Sequence, residues 1–145
     1  MGGNDIGFTD RLKSCLGPHT CYDTYEKRLE YVEEVNGKFN TLVNTYKKIK
    51  NAGPPNMRLY VVGYPEIAKP NGDCALNVRF NNEEVEFAQL AVEYLNTIVE
   101  RAASKAGVFY VDNHDAFYGH RMCEASGASV ADIPPTRVQR HRRRS

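Results

Sequence analysis

Hydrophobic and polar positions divide this chain into two long helical stretches, each followed by a short apolar run. Over residues 24–51, apolar side chains fall at positions 25, 29, 32, 39, 42, 43, 46 and 49, near the spacing of one helix face. Asp23 or Thr24 suits the N-cap, and Lys47, Lys48 and Lys50 suit the negative end of the helix dipole. Asn36-Gly37 interrupts the pattern and predicts a kink or a division into two helices. Ala52-Gly53-Pro54-Pro55 ends it. The tyrosines of this stretch, Tyr25, Tyr31 and Tyr46, read as packing residues rather than a ligand box. Residues 81–106 give the second pattern, capped by Asn81 or Asn82 and opened by Glu83, Glu84 and Glu86. Its inner stripe is Val85, Ala88, Val92, Leu95, Val99, Ala102 and Ala106, and Gly107 is its stop.

The apolar runs are Arg58–Tyr64 and Val108–Asp112, both rich in β-branched and aromatic residues. Strand, long helix, strand is a βαβ unit, so the strands should be parallel with a right-handed crossover. Both runs are continuously apolar, which predicts a sheet covered on both faces. The fold class is therefore α/β. Between the first strand and the second helix, Pro70-Asn71-Gly72 marks a turn. Thr9-Asp10 could cap a short helix that stops before Gly17-Pro18. Residues 125–145 have no periodicity, contain Pro134-Pro135 and read as a disordered tail. The division is a domain over residues 1–124 and a basic tail over 125–145.

Composition narrows the class. The 145 residues are 41% hydrophobic and 26% charged, as in an ordinary globular domain. No apolar run reaches the length of a membrane span. No secretory signal precedes the first motif. The net charge of +1 is unevenly placed, because residues 137–145 hold five arginines and no acidic residue. The remainder carries 14 basic and 18 acidic residues, a net charge of −4. A nucleic-acid partner would rest on that tail alone and is disfavoured, and the blander reading of the tail is a solvated run. Cys15, Cys21, Cys74 and Cys123 form no CxxC pair and no zinc-like spacing. They allow three pairings that the sequence does not choose between, and unpaired buried thiols are the alternative.

Candidate chemistry lies at two places. Gly2-Gly3-Asn4-Asp5 has the composition of a loop at a strand end, where glycines admit close backbone approach and an Asn side chain can aim its NH2 into a cleft. An ordinary turn and N-cap fit the same four residues. Asp115 and His120 follow the second strand's carboxyl end, where open α/β sheets place ligands. His114 stands there too. They invite an acid–base reading, but no nucleophile stands beside them. The structural alternative has Asp115 capping a turn and His120 in a packing hydrogen bond, and it weighs more.

Gly2-Gly3-Asn4-Asp5 resembles the third sequence block of the SGNH (GDSL-type) hydrolases. Tyr60-Val61-Val62-Gly63-Tyr64-Pro65 and Asp115-Ala116-Phe117-Tyr118-Gly119-His120-Arg121-Met122-Cys123 are similar, in order and spacing, to segments of the secreted lipase/esterase branch. The resemblance spans residues 1–124. It implies a partial SGNH-like (flavodoxin-like) three-layer fold, with a parallel sheet and long flanking helices. It also implies hydrolysis of carboxylic esters, small-molecule or lipid, without cofactor or metal. Asn4 would be an oxyanion-hole donor, with Gly3 setting the loop geometry. Disulfides 15–21 and 74–123 and an extracellular location follow from the same resemblance. The chain departs from the family in having no Gly-Asp-Ser for the nucleophile and no final catalytic-His block. It therefore reads as an internal fragment that is inactive alone. A non-catalytic binding protein on the same scaffold is the alternative, and a nucleic-acid-associated protein acting through its tail ranks third.

Overall fold

The structure, a computed structural model, describes residue 7 and residues 24–69, 71–72 and 82–124. The Gly3-Asn4 loop, Cys15, Cys21, Cys74 and the tail 125–145 lie outside those residues. Among them the order is helix α1 (Tyr25–Gly37), helix α2 (Phe39–Ala52), strand β1 (Tyr60–Val62), helix α3 (Asn82–Ala106), strand β2 (Phe109–Val111) and a 3-10 turn at His114–Phe117.

Thr24 is the cap of α1, its hydroxyl accepting from the Lys27 N–H at 3.4 Å. The Asn36-Gly37 signal divides the first helical stretch in two. Lys38, with φ −82° and ψ −11°, serves both as C-cap of α1 and N-cap of α2, so the break costs a single residue. Helix α3 ends in paired hydrogen bonds from Gly107 to Ser104 (3.0 Å) and from Val108 to Ala103 (3.0 Å), with Gly107 at φ +67°. This is the Schellman arrangement, and it needs a left-handed residue there.

Both α1 and α2 pack on α3. Val35, Tyr31, Leu42, Val43 and Tyr46 meet a stripe on α3 that includes Leu95, Ile98, Val99, Ala102 and Ala103, all almost wholly buried. The stripe is wider than the heptad-like pattern of the sequence: Ala91, Ile98 and Ala103 join it, while Ala88 is only half-buried. Ala102 and Ala103, both fully buried, let α2 approach closely. Polar ties pin the helices in register. Tyr31 donates to the Ala91 carbonyl at 2.9 Å, Tyr94 to Asn36 Oδ1 at 2.7 Å, and Lys50 Nζ to the Gly107 carbonyl at 2.7 Å.

β1 and β2 are parallel, with Tyr60 opposite Phe109, Val61 opposite Tyr110 and Val62 opposite Val111. Val61 and Tyr110 face the helices and join the core. Each strand is shorter than its apolar run, three residues in place of seven and five. The expectation of cover on both faces is corrected here: Tyr60, Val62, Phe109 and Val111 face outward and are exposed. A continuous apolar run states that both faces avoid water, not which element will cover them.

Candidate functional site

Beyond the strands, the two following segments continue side by side. Glu66 N–H donates to the His114 carbonyl (2.9 Å), Met122 N–H to Ile67 (2.9 Å) and Lys69 N–H to Met122 (2.8 Å), with an isolated parallel bridge at Ala68 and Met122. The carboxyl end of the sheet is thus extended by residues 63–69 and 113–124.

A buried ion cluster locks this end. Arg121, whose side chain is 8% exposed, pairs through Nη1 with Glu66 and through Nη2 with Glu124 (2.8 Å). The Arg121 Nε also donates to Glu124 (3.0 Å), and the Gly119 and Arg121 main-chain N–H groups complete its oxygen shell at 2.8 and 3.1 Å. The guanidinium lies 4.5 Å from the centre of the Tyr118 ring. The hydrogen bonds from Arg121 pull the Glu124 carboxyl down to about 2, and those carboxylates raise the guanidinium further above its already high range.

Beside the cluster, Asn96 of α3 clasps the main chain of Tyr64: its Oδ1 accepts from the Tyr64 N–H (2.7 Å) and its NH2 donates to the Tyr64 carbonyl (2.8 Å). Asn96, Glu93, Glu100, Tyr110, Asp112 and His114 line an open cleft of about 490 Å³. Burial, then Asp112 and Glu100, raise the Tyr110 hydroxyl above its ordinary value. The hydrogen bond to Asp115 is the main force raising His114, with Glu66, Asp115 and Glu93 adding charge attraction against the opposing effect of burial. His114 Nδ1 stands 2.9 Å from Asp115 Oδ1.

Asp115 therefore meets His114, not His120. The hydrogen bond of His120 is that of its main-chain N–H to Phe117 (2.8 Å). The described serine, Ser104, is exposed and precedes β2, whereas His114 follows it; they stand at opposite ends of the strand. The cleft, which Thr97 also lines, can hold a cationic group, and among the described residues no serine or cysteine lines it. Those residues also hold no cluster of three or more His, Cys, Asp or Glu arranged for a metal ion. No described helix is long and apolar enough to cross a membrane. Cys123 is 3% exposed and disulfide-bonded. Sequence reasoning missed Glu66, Asn96, Tyr110 and Glu124. Glu66 alone carried a signal, a charged residue just past a strand's carboxyl end.

No protein-family model matches the chain. Two curated relatives do. Lipase 1 of Streptomyces coelicolor is 27% identical over 129 residues, covering 87% of this chain and 46% of the relative. A Streptomyces rimosus lipase is 28% identical over 130 residues, covering 88% and 46%. The chain is similar to these Streptomyces lipases. It spans about half the length of the curated relatives it matches. Among solved structures, an extracellular lipase from Streptomyces rimosus superposes with a TM-score of 0.66 at 25% identity, covering 89% of this chain and 53% of that one. Phospholipase A1 from Streptomyces albidoflavus gives 0.63 at 27% identity, covering 89% and 52%. The α/β class, with its parallel strands and long flanking helices, agrees with these neighbours.

Proposed function

We propose that the chain is half of an SGNH-type lipid-ester hydrolase scaffold and has no serine-dependent esterase activity by itself. One observation carries this: sequence and fold follow lipases over 87–89% of the chain, yet no Gly-Asp-Ser occurs in it. Asn4 is the oxyanion-hole donor, held by Gly3, and a lipid ester is the substrate class. The oxyanion hole without the nucleophile leaves only weak catalysis. Neither a cofactor nor a metal takes part in this chemistry. By the same likeness the scaffold works outside the cell. Cys74 is the partner we assign to Cys123, because Gly72, two residues earlier, packs directly against the Cys123 carbonyl. Cys15–Cys21 is the second pair. The 1–124 domain and the basic tail 125–145 are kept as the division.

The test is incubation of the purified chain with a serine-directed phosphonate, followed by intact-mass analysis. No stoichiometric adduct is expected, and one adduct per chain would overturn the reading. A non-catalytic binder on the same scaffold is the second reading. The placement of Ser104 at the far end of β2 from His114 favours it. Saturable retention of a lipid ester without turnover would distinguish it.

A further inference from the structure

The chain holds two Asn-Gly pairs, Asn36-Gly37 and Asn71-Gly72. They carry the same chemistry in opposite surroundings. The side-chain amide of an Asn is open to attack by the main-chain nitrogen of the next residue, and a following glycine, having no Cβ, lets that nitrogen approach. Asn36 and Gly37 both lie within α1, where the Gly37 N–H belongs to the helix ladder. Asn36 Oδ1 also accepts from the Tyr94 hydroxyl at 2.7 Å. The helix keeps the nitrogen and the amide carbon apart.

Asn71 lies in a turn and is exposed. Its φ is +53°, a conformation that Asn adopts more readily than most side chains. Gly72 follows for a packing reason: a Cβ on it would collide with the Cys123 carbonyl and crowd the Lys69 carbonyl. The turn therefore needs both residues, and together they are the pair most prone to cyclise. The Gly72 N–H donates to the Lys69 carbonyl at 3.2 Å, at the long end of the N–H···O range.

We propose that Asn71 is a site of spontaneous deamidation in the folded chain, through a succinimide formed with Gly72. The Gly72 nitrogen loses its proton and bonds to the Asn71 side-chain carbonyl carbon. The bond from that carbon to the amide nitrogen breaks, and ammonia leaves with the proton. Water then opens the ring at either carbonyl, giving aspartate or isoaspartate. Nothing is oxidised or reduced, and water is the co-reactant. Both products add a negative charge, and isoaspartate inserts its Cβ into the main chain. The change falls on a joint. Lys69, whose carbonyl accepts from Gly72, donates its own N–H to Met122 at 2.8 Å, and Ala68 bridges Met122. An atom inserted ahead of Gly72 displaces it from the Cys123 carbonyl and loosens the side-by-side run of residues 63–69 and 113–124.

The test is incubation of the purified 145-residue chain at mildly alkaline pH, sampled over time by peptide mapping with mass spectrometry. Asn71 should convert to aspartate and isoaspartate at least about tenfold faster than Asn36. Asn71→Gln should abolish the conversion, because the added methylene disfavours the ring, and Asn36→Gln should leave it unchanged. Hydrogen exchange at the Lys69 and Met122 amides should quicken in the aged wild-type chain and not in aged Asn71→Gln. Unchanged circular dichroism at each time point confirms that the folded chain is what reacts. Asn71 that stays intact in the folded chain while it converts in denaturant overturns the proposal. So does conversion of Asn36 and Asn71 at equal rates. Exchange at Lys69 and Met122 that is unchanged after full conversion overturns the consequence drawn for the joint. None of these readouts involves ester turnover.

Discussion

Arg121 is the residue on which the carboxyl end of the sheet depends. Its guanidinium is buried between Glu66 and Glu124, from segments 55 positions apart and next to it in the chain. Removing the cation while keeping the volume, as in Arg121→Met, leaves two carboxylates in a confined space. The expected loss is roughly 3 kcal/mol of unfolding free energy, read by urea denaturation. Glu124 adds a pH signature. Its carboxyl titrates at about 2 in the folded chain against an ordinary 4.5, so its contribution is present above about pH 4.5 and lost as pH falls toward 2. In Arg121→Met that acid-dependent loss should shrink; an unchanged acid profile would exclude Arg121 as its source. His114 works with the opposite sign. Its folded value is raised, so the stability it contributes is full below 6.5 and is lost as pH rises through the raised value. The hydrogen bond to Asp115 leads that shift, so Asp115→Asn should bring the His114 titration down, followed by NMR of its ring protons.

At the scale of elements, the joints are made by single polar residues. Asn96 ties α3 to the segment after β1 by holding both the N–H and the C=O of Tyr64. Asn96→Leu keeps the volume but leaves both groups without that partner, and about 2–3 kcal/mol of destabilisation is expected in thermal or urea unfolding. Gly37 is the reverse case. A Cβ there meets nothing within 4 Å, and the residue is helical. Gly37→Ala should stabilise the chain by about 0.5–1 kcal/mol by restricting the unfolded state, visible as a higher melting temperature. A lower one would mean that the α1–α2 joint needs glycine. These elements were largely legible in the sequence. Asn36-Gly37 marks the helix division, and Gly107 the end of α3, because local backbone preferences decide both. The Arg121 cluster was not legible, because Glu66 and Arg121 meet only when β1 and β2 align in register. Asn96 was hidden for the same reason: on the helix pattern it reads as a polar interruption.

For the molecule as a whole, the three helices and two parallel strands of the described residues give a core, an end locked by charge, and an apolar sheet face turned outward. The periodic apolar positions could predict that the sheet avoids water but not which side the helices of this chain would take. Asp115 stood out in the sequence by its place after β2, while its contact with His114 is set by the 3-10 turn. A lipase-like scaffold without a serine nucleophile should turn over no ester. Hydrolysis of a short-chain p-nitrophenyl ester by the purified chain, beside Asn4→Ala, tests it most directly. No turnover above that of Asn4→Ala is expected. Turnover that collapses in Asn4→Ala would contradict it, placing Asn4 in a working oxyanion hole and requiring a nucleophile within these 145 residues.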